Sequence, residues 1–254
     1  VAYGEIDNGY GSFNTWRHTV KAGTGLINNK FSMNARLSKI TSEGYIDRAS
    51  SDLKSFYLDG TWQGKRSSLT ANIFSGQERT YQSWYGTPQS VIEGNEADII
   101  LYADRNGISG ADRDNLLNSG RTYNFYTYEN EVDNYQQDHY QLHFTHRFSS
   151  VLKLNLKGHY TRGRGYFEQF REDDDFLDYG LQPLILTNDT VTSGDFIRRR
   201  WLDNHFYGGI FSLNYEKGNF DLVAGGGANQ YPPKALPPNS HLVNPNPSQR
   251  FGCR

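Results

Sequence analysis

The chain has 254 residues and a formal net charge of -2, with 36% hydrophobic residues, 15% aromatic residues and 26 glycines. No apolar run approaches the roughly 18 residues of a membrane-spanning helix, and this charge gives no electrostatic support for a nucleic-acid partner. The single cysteine, Cys253, excludes an internal disulfide framework and a CxxC metal site. Because disordered chains are poor in aromatics, this polar but aromatic-rich composition favours a β protein with at least one face in water.

Eight segments alternate apolar and polar residues with the period of two that marks a β-strand. In chain order they are Ser12–Gly25, Phe31–Thr41, Leu53–Trp62, Ser67–Tyr81, Asn134–Phe148, Val151–Gly165, Asn204–Glu216 and Asn219–Asn229. The alternation is clearest in VLKLNLKGHY, where Leu152, Leu154 and Leu156 face one way and Lys153 and Lys157 face the other. The sequence therefore predicts an all-β fold.

The connections between these strands are short and long in strict alternation. Connections one, three, five and seven have two to five residues, whereas connections two, four and six have about 11, 50 and 40. Antiparallel strands with tight turns at one end and long loops at the other are typical of outer-membrane barrels, whose strands meet lipid on one face. We therefore predict an antiparallel up-and-down meander of about eight strands, with the second face towards a wet lumen.

Residues 231–254 differ in composition from the rest of the chain. They contain six of the eight prolines and the cysteine, three basic residues and no acidic residue. A Pro-rich linker is one interpretation, and a terminus that does not belong to the fold is the one we favour. We therefore expect residues 1–230 to form the folded part and residues 231–254 to be a Pro-rich tail outside it.

Three segments resemble the barrel of TonB-dependent outer-membrane receptors, most closely those of Bacteroides-type Gram-negative bacteria. They are RLSKITSEGYIDRASSDLKSFYL (36–58), FSGQERTYQSWYGTP (74–88) and YENEVDNYQQDHYQLHF (128–144). The resemblance covers about residues 10–230 and implies part of a 22-stranded transmembrane β-barrel with long extracellular loops. The plug domain and TonB-contacting segment of such receptors are missing, and VAYGEIDNGYGSF lacks the features of a signal peptide. We therefore expect an internal fragment of the barrel.

The resemblance also implies a function. Such receptors import scarce nutrients, among them ferric siderophores, haem, cobalamin and glycans, across the outer membrane of Gram-negative bacteria. The expected partners are the TonB energy-coupling complex acting through the missing plug, the nutrient and outer-membrane lipid, with a surface lipoprotein as a further partner that the resemblance allows. No cofactor and no enzymatic activity are implied.

Aromatic residues flank the two ends of the longest loop. Trp84 and Tyr85 lie at its start, and Tyr123 and Tyr126 lie near its end. Rigid aromatics with hydrogen-bonding groups at their tips suit sugar rings and planar ligands, so these four are candidates for nutrient binding. The alternative is that they belong to the aromatic girdle of a barrel or pack the base of the loop.

A basic and an acidic cluster fall in the third long connection. Arg198, Arg199 and Arg200 oppose the acidic residues 172–175, and both clusters are predicted to lie in one loop. An arginine patch suits an anionic ligand such as a ferric siderophore. A solvated loop tip is the alternative.

The remaining residues give no catalytic or metal site. His139 and His143 share one face of a strand while His146 points to the other, so one ion cannot easily take all three. The chain has no G-x-S-x-G, H-E-x-x-H or phosphate-loop motif. Catalytic and metal residues are therefore predicted to be absent.

Two other functions remain open from the sequence. The chain could be a complete small eight-stranded porin or adhesion barrel, although its loops are large for one. It could also be a soluble β-sheet glycan-binding module, which would bury both faces of its sheet.

Overall fold

The computed structural model of the chain describes residues 1–187, 190–232 and 242–243, most of which form one antiparallel sheet. The strands are β1 (Tyr3–Gly11), β2 (Thr15–Gly23), β3 (Phe31–Ser42), β4 (Ser51–Gln63), β5 (Ser67–Tyr81), β6 (Val132–Arg147), β7 (Leu152–Asp175), β8 (Leu184–Ile185), β9 (Thr190–Val191), β10 (Ser193–Lys217), β11 (Phe220–Gln230) and β12 (Leu242–Val243). The short strands β8 and β9 pair with each other, and β12 pairs with β10. The other nine follow one another in sheet order, which confirms the predicted all-β meander.

The predicted Pro-rich tail, residues 231–254, lies outside the described residues apart from 231, 232 and the two residues of β12. Its exclusion from the fold stays a prediction. None of the helices within the described ranges has the length and apolar character needed to cross a membrane.

Short turns and long loops leave the sheet at opposite ends. Residues 24–30, 64–66, 148–151 and 218–219 form turns at what we call the short-turn end. Residues 12–14, 43–50, 82–131 and 176–192 connect strands at the loop end. The prediction that the first hairpin turn and the longest loop emerge at opposite ends is confirmed.

The first strand of the meander was not predicted. β1 contains Ile6 as its one aliphatic residue, so it gives little apolar alternation, yet it pairs with β2 along its whole length. The strand predicted from Ser12 begins at Thr15, because Phe13 and Asn14 adopt φ values of 60° and 50° and form a tight turn. This turn lies at the loop end, so the alternation of short and long connections is not strict.

Strands β7 and β10 extend well beyond their predicted bounds. They have 24 and 25 residues and pair from Tyr215↔Leu152 to Ser193↔Asp175. The predicted third loop of about 40 residues is therefore the shorter connection 176–192. Its acidic and basic clusters lie on two paired strands and not in one loop, which corrects the sequence-based expectation.

One face of the sheet carries a continuous apolar band. Its members are Ile6, Val20, Leu37, Phe56, Leu58, Ile73, Leu142, Leu156, Phe211 and Leu213. All of them have exposed side chains. Rings border the band on both sides: Phe31, Trp62, Phe144 and Tyr215 towards the short-turn end, and Tyr140, Tyr160 and Tyr207 towards the loop end. We call this the outer face.

The opposite face, the inner face, is mainly polar. Hydroxyl and amide groups link neighbouring strands there, as between Thr61 and Thr70 at 2.9 Å. Thr145 donates to Asn155 at 3.0 Å, and the amide of Asn155 donates to Ser212 at 3.1 Å. The predicted lysines of β7 lie on this face, while His139 and His143 share it and His146 does not.

Most of the buried hydrophobic residues gather in and under the longest loop, residues 82–131. Three helices fold there: α1 (Gln89–Glu93), α2 (Glu96–Arg105) and α3 (Gly110–Asn118). They enclose a core of Val91, Ile99, Ala103, Leu116 and Tyr123. Asn95 begins α2 by accepting hydrogen bonds from the N–H groups of its first turn, which is standard N-cap chemistry. The loop therefore has an ordered structure of its own.

Asn124 attaches this helical loop to the sheet. Its fully buried amide donates to the carbonyl oxygens of Asp47 at 2.8 Å and Gln82 at 3.0 Å, and its side-chain oxygen accepts from the Tyr126 N–H at 3.1 Å. The guanidinium of Arg48 adds hydrogen bonds to the carbonyl oxygens of Asn124 at 3.1 Å and Tyr126 at 3.0 Å. One amide thereby joins the β3–β4 connection, the end of β5 and the returning arm of the helical loop.

Replacing Asn124 by Ala should loosen the helical loop while leaving the strands paired. The substitution removes the partner of two buried backbone groups and one half-buried group, at about 1–3 kcal/mol for each group that water does not reach. We expect faster amide hydrogen exchange throughout residues 82–131 and unchanged exchange in β3 to β6.

Asn118→Ala is the matched control. Its exposed amide bonds to the Asp114 carbonyl oxygen within α3, so exchange should stay as in the parent protein. Equal exchange in the two variants would contradict the anchoring role of Asn124.

Candidate functional site

An aromatic cluster lies at the base of the helical loop. Trp84 and Tyr85 are 56% and 61% exposed, and Phe125 is exposed beside them. The rings of Tyr85 and Phe125 lie 4.7 Å apart, and the ring of Trp84 lies 5.6 Å from that of Phe167 at an interplanar angle of 71°. Edge-to-face contacts of this kind hold rings in fixed orientations. The two exposed candidates predicted at the start of the loop therefore lie in one open cluster.

Phe167 brings the wall of the sheet into this cluster. It stands on β7 opposite Arg200 on β10, and the Arg200 guanidinium lies 6.0 Å from the centre of the Phe167 ring. Both positions belong to the inner face, and the Arg200 side chain is exposed. Trp84, Phe167 and Arg200 thus form a surface of two rings and one cation at the loop end, which we call the ring–arginine surface.

The two tyrosines predicted as ligand-binding candidates near the end of the loop are buried and not exposed. Tyr123 is 4% exposed in the core of the helical loop, and Tyr126 is 7% exposed against Tyr81 and Val132. Burial raises the pKa of both tyrosines to about 12. Tyr123 offers no surface to a ligand, which corrects its sequence-based assignment, whereas the ring of Tyr126 supports Trp84 at 6.3 Å.

The three consecutive arginines do not form one patch. Because side chains alternate along a strand, Arg198 and Arg200 share the inner face and Arg199 lies on the outer face. Arg198 donates to the side-chain oxygen of Gln169 at 2.9 Å. Its Nε atom is enclosed and has no hydrogen-bond partner among the described residues. The arginine patch predicted for an anionic ligand is therefore a pair, not a triplet.

Arg199 serves the base of the loop instead. Its guanidinium donates to Glu168 at 2.5 Å and lies 4.6 Å from the centre of the Tyr166 ring. Glu168 is buried and also accepts from the Tyr128 hydroxyl at 2.9 Å and the Asn130 amide at 2.5 Å. Burial alone would raise the pKa of Glu168, but the three donors outweigh it and hold this pKa below its usual range. Glu168 is thus a charged anchor for the returning arm of the loop.

The acidic residues 172–175 are largely engaged in local structure. Asp174 forms an ion pair with Arg171 at 3.0 Å, and the side chain of Asp175 accepts from the Leu177 N–H at 2.8 Å. Asp173 accepts from the Ser193 hydroxyl at 2.5 Å. These contacts order the 176–192 connection, while Asp174 also lies 4.0 Å from the guanidinium of Arg198, so one of the four carboxylates faces the arginine pair.

Phe167, Asn124 and Gln82 are residues of this region that the sequence did not single out. Phe167 was missed because the predicted strand stopped at Gly165 and its partner strand was predicted to begin only at Asn204, so neither Phe167 nor Arg200 was assigned to a strand. The buried polar contacts of Asn124 and Gln82 depend on distant backbone groups and leave no local signal. Among the residues that the structure describes, no three His, Cys, Asp or Glu side chains are grouped to hold a metal ion.

Comparison with known proteins places the fold of the chain. No protein-family profile and no curated protein sequence matches it. Among solved structures, it is similar to the ferric-catecholate import receptor Fiu from E. coli K12 in its closed form, with a TM-score of 0.61 and 14% identity over 90% of this chain and 31% of that receptor. The open form of the same receptor gives a TM-score of 0.59 at 14% identity, over 87% of this chain and 33% of the receptor.

The chain therefore spans about a third of the receptor chains that it matches. At this identity the likeness concerns the fold: the nine-stranded meander corresponds to a fragment of a TonB-dependent receptor barrel.

Proposed function

We propose that the chain forms part of the wall and the ligand-binding loops of a TonB-coupled receptor in the outer membrane of a Gram-negative bacterium. The observation that carries the proposal is the apolar band on the outer face, bordered by rings on both sides and backed by a polar inner face. A lipid-facing barrel wall has this arrangement, with an apolar band about 25 Å tall between aromatic girdles. A water-exposed surface rarely carries a contiguous apolar patch beyond a few hundred Å².

The complete barrel in this proposal has 22 strands and a plug through which the TonB complex acts, as the sequence resemblance implies. The likeness to receptors of Bacteroides-type bacteria and a surface lipoprotein partner belong to the same proposal. Its activity is transport and not catalysis.

The two rival functions fit the sheet less well. Its nine meander strands run from β1 to β11 without pairing between these two ends in the described part of the chain, whereas a complete small barrel closes on itself. A soluble glycan-binding module would have to cover the apolar band, and no described element packs on it as a second layer.

For the nutrient we propose an anionic complex with flat rings, such as a ferric catecholate. The ring–arginine surface offers Trp84 and Phe167 for stacking and Arg200 for a charge-assisted contact. Arg198, on the same face, is engaged with Gln169 and lies 4.0 Å from Asp174, so Arg200 is the exposed cation of this surface. The solved receptors of similar fold are ferric-catecholate importers by name, which supports this choice over haem, cobalamin or a glycan.

A charged side chain on the outer face should destabilise the protein in lipid far more than one on the inner face. Leu142→Arg places a cation within the apolar band and should lower the free energy of unfolding by about 2–4 kcal/mol. Gln141→Arg changes the next residue, which points to the inner face, and should have little effect. Urea unfolding from lipid vesicles, with the protein expressed from its complete coding sequence, measures both. Equal destabilisation by the two variants would argue against a lipid-facing wall.

The ring–arginine surface should decide the affinity for a ferric catecholate. Arg200→Gln should weaken binding of the ferric complex of 2,3-dihydroxybenzoate by about ten-fold or more, since a hydrogen bond to a charged group contributes about 1.5–3 kcal/mol. Phe167→Ala should weaken it by several-fold through lost stacking, at about 0.5–1.5 kcal/mol. Titration calorimetry of the protein expressed from its complete coding sequence gives these affinities.

Arg121→Gln is the control for charge, because Arg121 is an exposed arginine of the same loop and lies outside the ring–arginine surface. It should bind like the parent protein. If all three variants bind alike while the Leu142 and Gln141 variants differ as expected, the receptor assignment stands and the choice of nutrient is wrong.

A further inference from the structure

A groove on the outer face lies across the boundary of the apolar band that is nearer the loop end. It encloses about 530 Å³. Val20, Leu37 and Phe56 line its apolar side, and His18, Lys39 and Lys54 line the side nearer the loop end. The register explains this division, because Leu37 stands opposite Val20 and Phe56, and Lys39 stands opposite His18 and Lys54. Apolar and cationic side chains therefore meet in one depression at the edge of the band.

The two lysines form an unusual pair. Like charges directly opposite each other on neighbouring strands destabilise a sheet. Asp52 supplies one counter-charge, with its Oδ2 atom 3.6 Å from the Lys39 ammonium and 3.9 Å from the Lys54 ammonium. Both distances exceed the 2.7–2.9 Å of a charge-assisted hydrogen bond. The cluster thus keeps one net positive charge, and its ammonium donors point to solvent, since both lysine side chains are about half exposed.

The other carboxylate beside the groove does not cancel this charge. Asp138 stands next to Ser75 and Gln136, which line the groove, and it forms an ion pair with Arg164 at 3.3 Å. The Ser75 hydroxyl donates to Asp138, and the Gln136 amide donates to both Asp138 and Ser75. The groove is therefore left with the charge of the lysine pair.

We propose that this groove binds a membrane lipid whose phosphate headgroup carries a net negative charge. The inference rests on the proposed function, because it requires the outer face to lie in a bilayer. The headgroup phosphate contacts Lys39 and Lys54, and the first part of an acyl chain lies along Val20, Leu37 and Phe56. Basic pockets at the membrane boundary recognise anionic headgroups in this way.

The test uses the protein expressed from its complete coding sequence, delipidated in a neutral detergent and titrated with single lipids under native mass spectrometry. The parent protein should bind dilauroylphosphatidylglycerol about ten-fold more tightly than dilauroylphosphatidylcholine, and Lys39→Gln/Lys54→Gln should abolish this preference. The matched control, Lys153→Gln/Lys157→Gln, makes the same change of charge on the inner face and should keep the preference.

Each other outcome overturns the proposal. Equal binding of the two lipids by the parent protein removes the headgroup site but leaves a lipid-facing wall. A preference that survives in the Lys39/Lys54 variant, or that millimolar inorganic phosphate abolishes, assigns the site elsewhere or to a free anion. Failure to bind either lipid contradicts the outer face as a membrane surface and, with it, the proposed function.

Discussion

The register of the sheet is the constraint on which the rest of the structure depends. Side chains alternate with a period of exactly two, so a slip of one residue between neighbouring strands would send an entire apolar row to the polar face. Across the apolar band the pairing avoids such a slip, and Leu37, Leu58 and Leu142 all emerge on the outer face. The register of β7 and β10 shifts only between Gly194 and Phe196, at the loop end. The same alternation, continued past the band, brings Phe167 and Arg200 to the inner face and Arg199 to the outer one.

Between the apolar band and the loop end, other interactions hold the register of β7 and β10. Both faces of β7 and β10 mix charged and aromatic side chains there, so no clean apolar alternation distinguishes one register from its neighbours. Buried and half-buried ion pairs do so instead: Glu168 with Arg199 at 2.5 Å, and Asp203 with Arg162 at 3.1 Å. Removing one partner of a buried pair leaves an uncompensated charge, which destabilises strongly. Charge pairing therefore continues the strands where the apolar alternation ends.

Two glutamates at the base of the helical loop show that hydrogen-bond donors decide the pKa of a buried carboxyl group. Glu168 and Glu131 are both buried. Glu168 has three side-chain donors, and its pKa falls below the usual range despite burial. For Glu131, burial raises the pKa to about 7, although the Phe170 N–H and the Arg171 charge act against it. The first glutamate is thus a charged anchor, whereas the second titrates near neutral pH.

The sequence predicted the fold correctly where the alternation within one strand determines which face a side chain takes. It failed where contacts with residues distant in the sequence determine the position of a side chain. The segment from Leu152 to Tyr160 alternates cleanly, so its faces could be assigned correctly. β1, and the parts of β7 and β10 nearer the loop end, mix polar and aromatic residues without alternation, so they carry no such signal. Trp84 and Tyr123 are equally aromatic in the sequence, yet one is exposed and the other is enclosed by α2 and α3. Only the packing of those helices separates them.

The ring–arginine surface joins two parts of the molecule that are otherwise held together by buried polar contacts. Trp84 belongs to the helical loop, whereas Phe167 and Arg200 belong to the sheet.

Two residues before Trp84, the buried Gln82 amide donates to the carbonyl oxygens of Glu168 at 3.0 Å and Val132 at 3.3 Å. A ligand that stacks on Trp84 and Phe167 together therefore contacts the loop and the wall at once, and it gains affinity only while their spacing is kept. The contacts of Gln82, Asn124 and Glu168 keep that spacing before any ligand arrives, so less of the binding energy is spent on ordering the loop. If the ring–arginine surface is the ligand site that we propose, the buried polar groups at the loop base contribute to binding without touching the ligand.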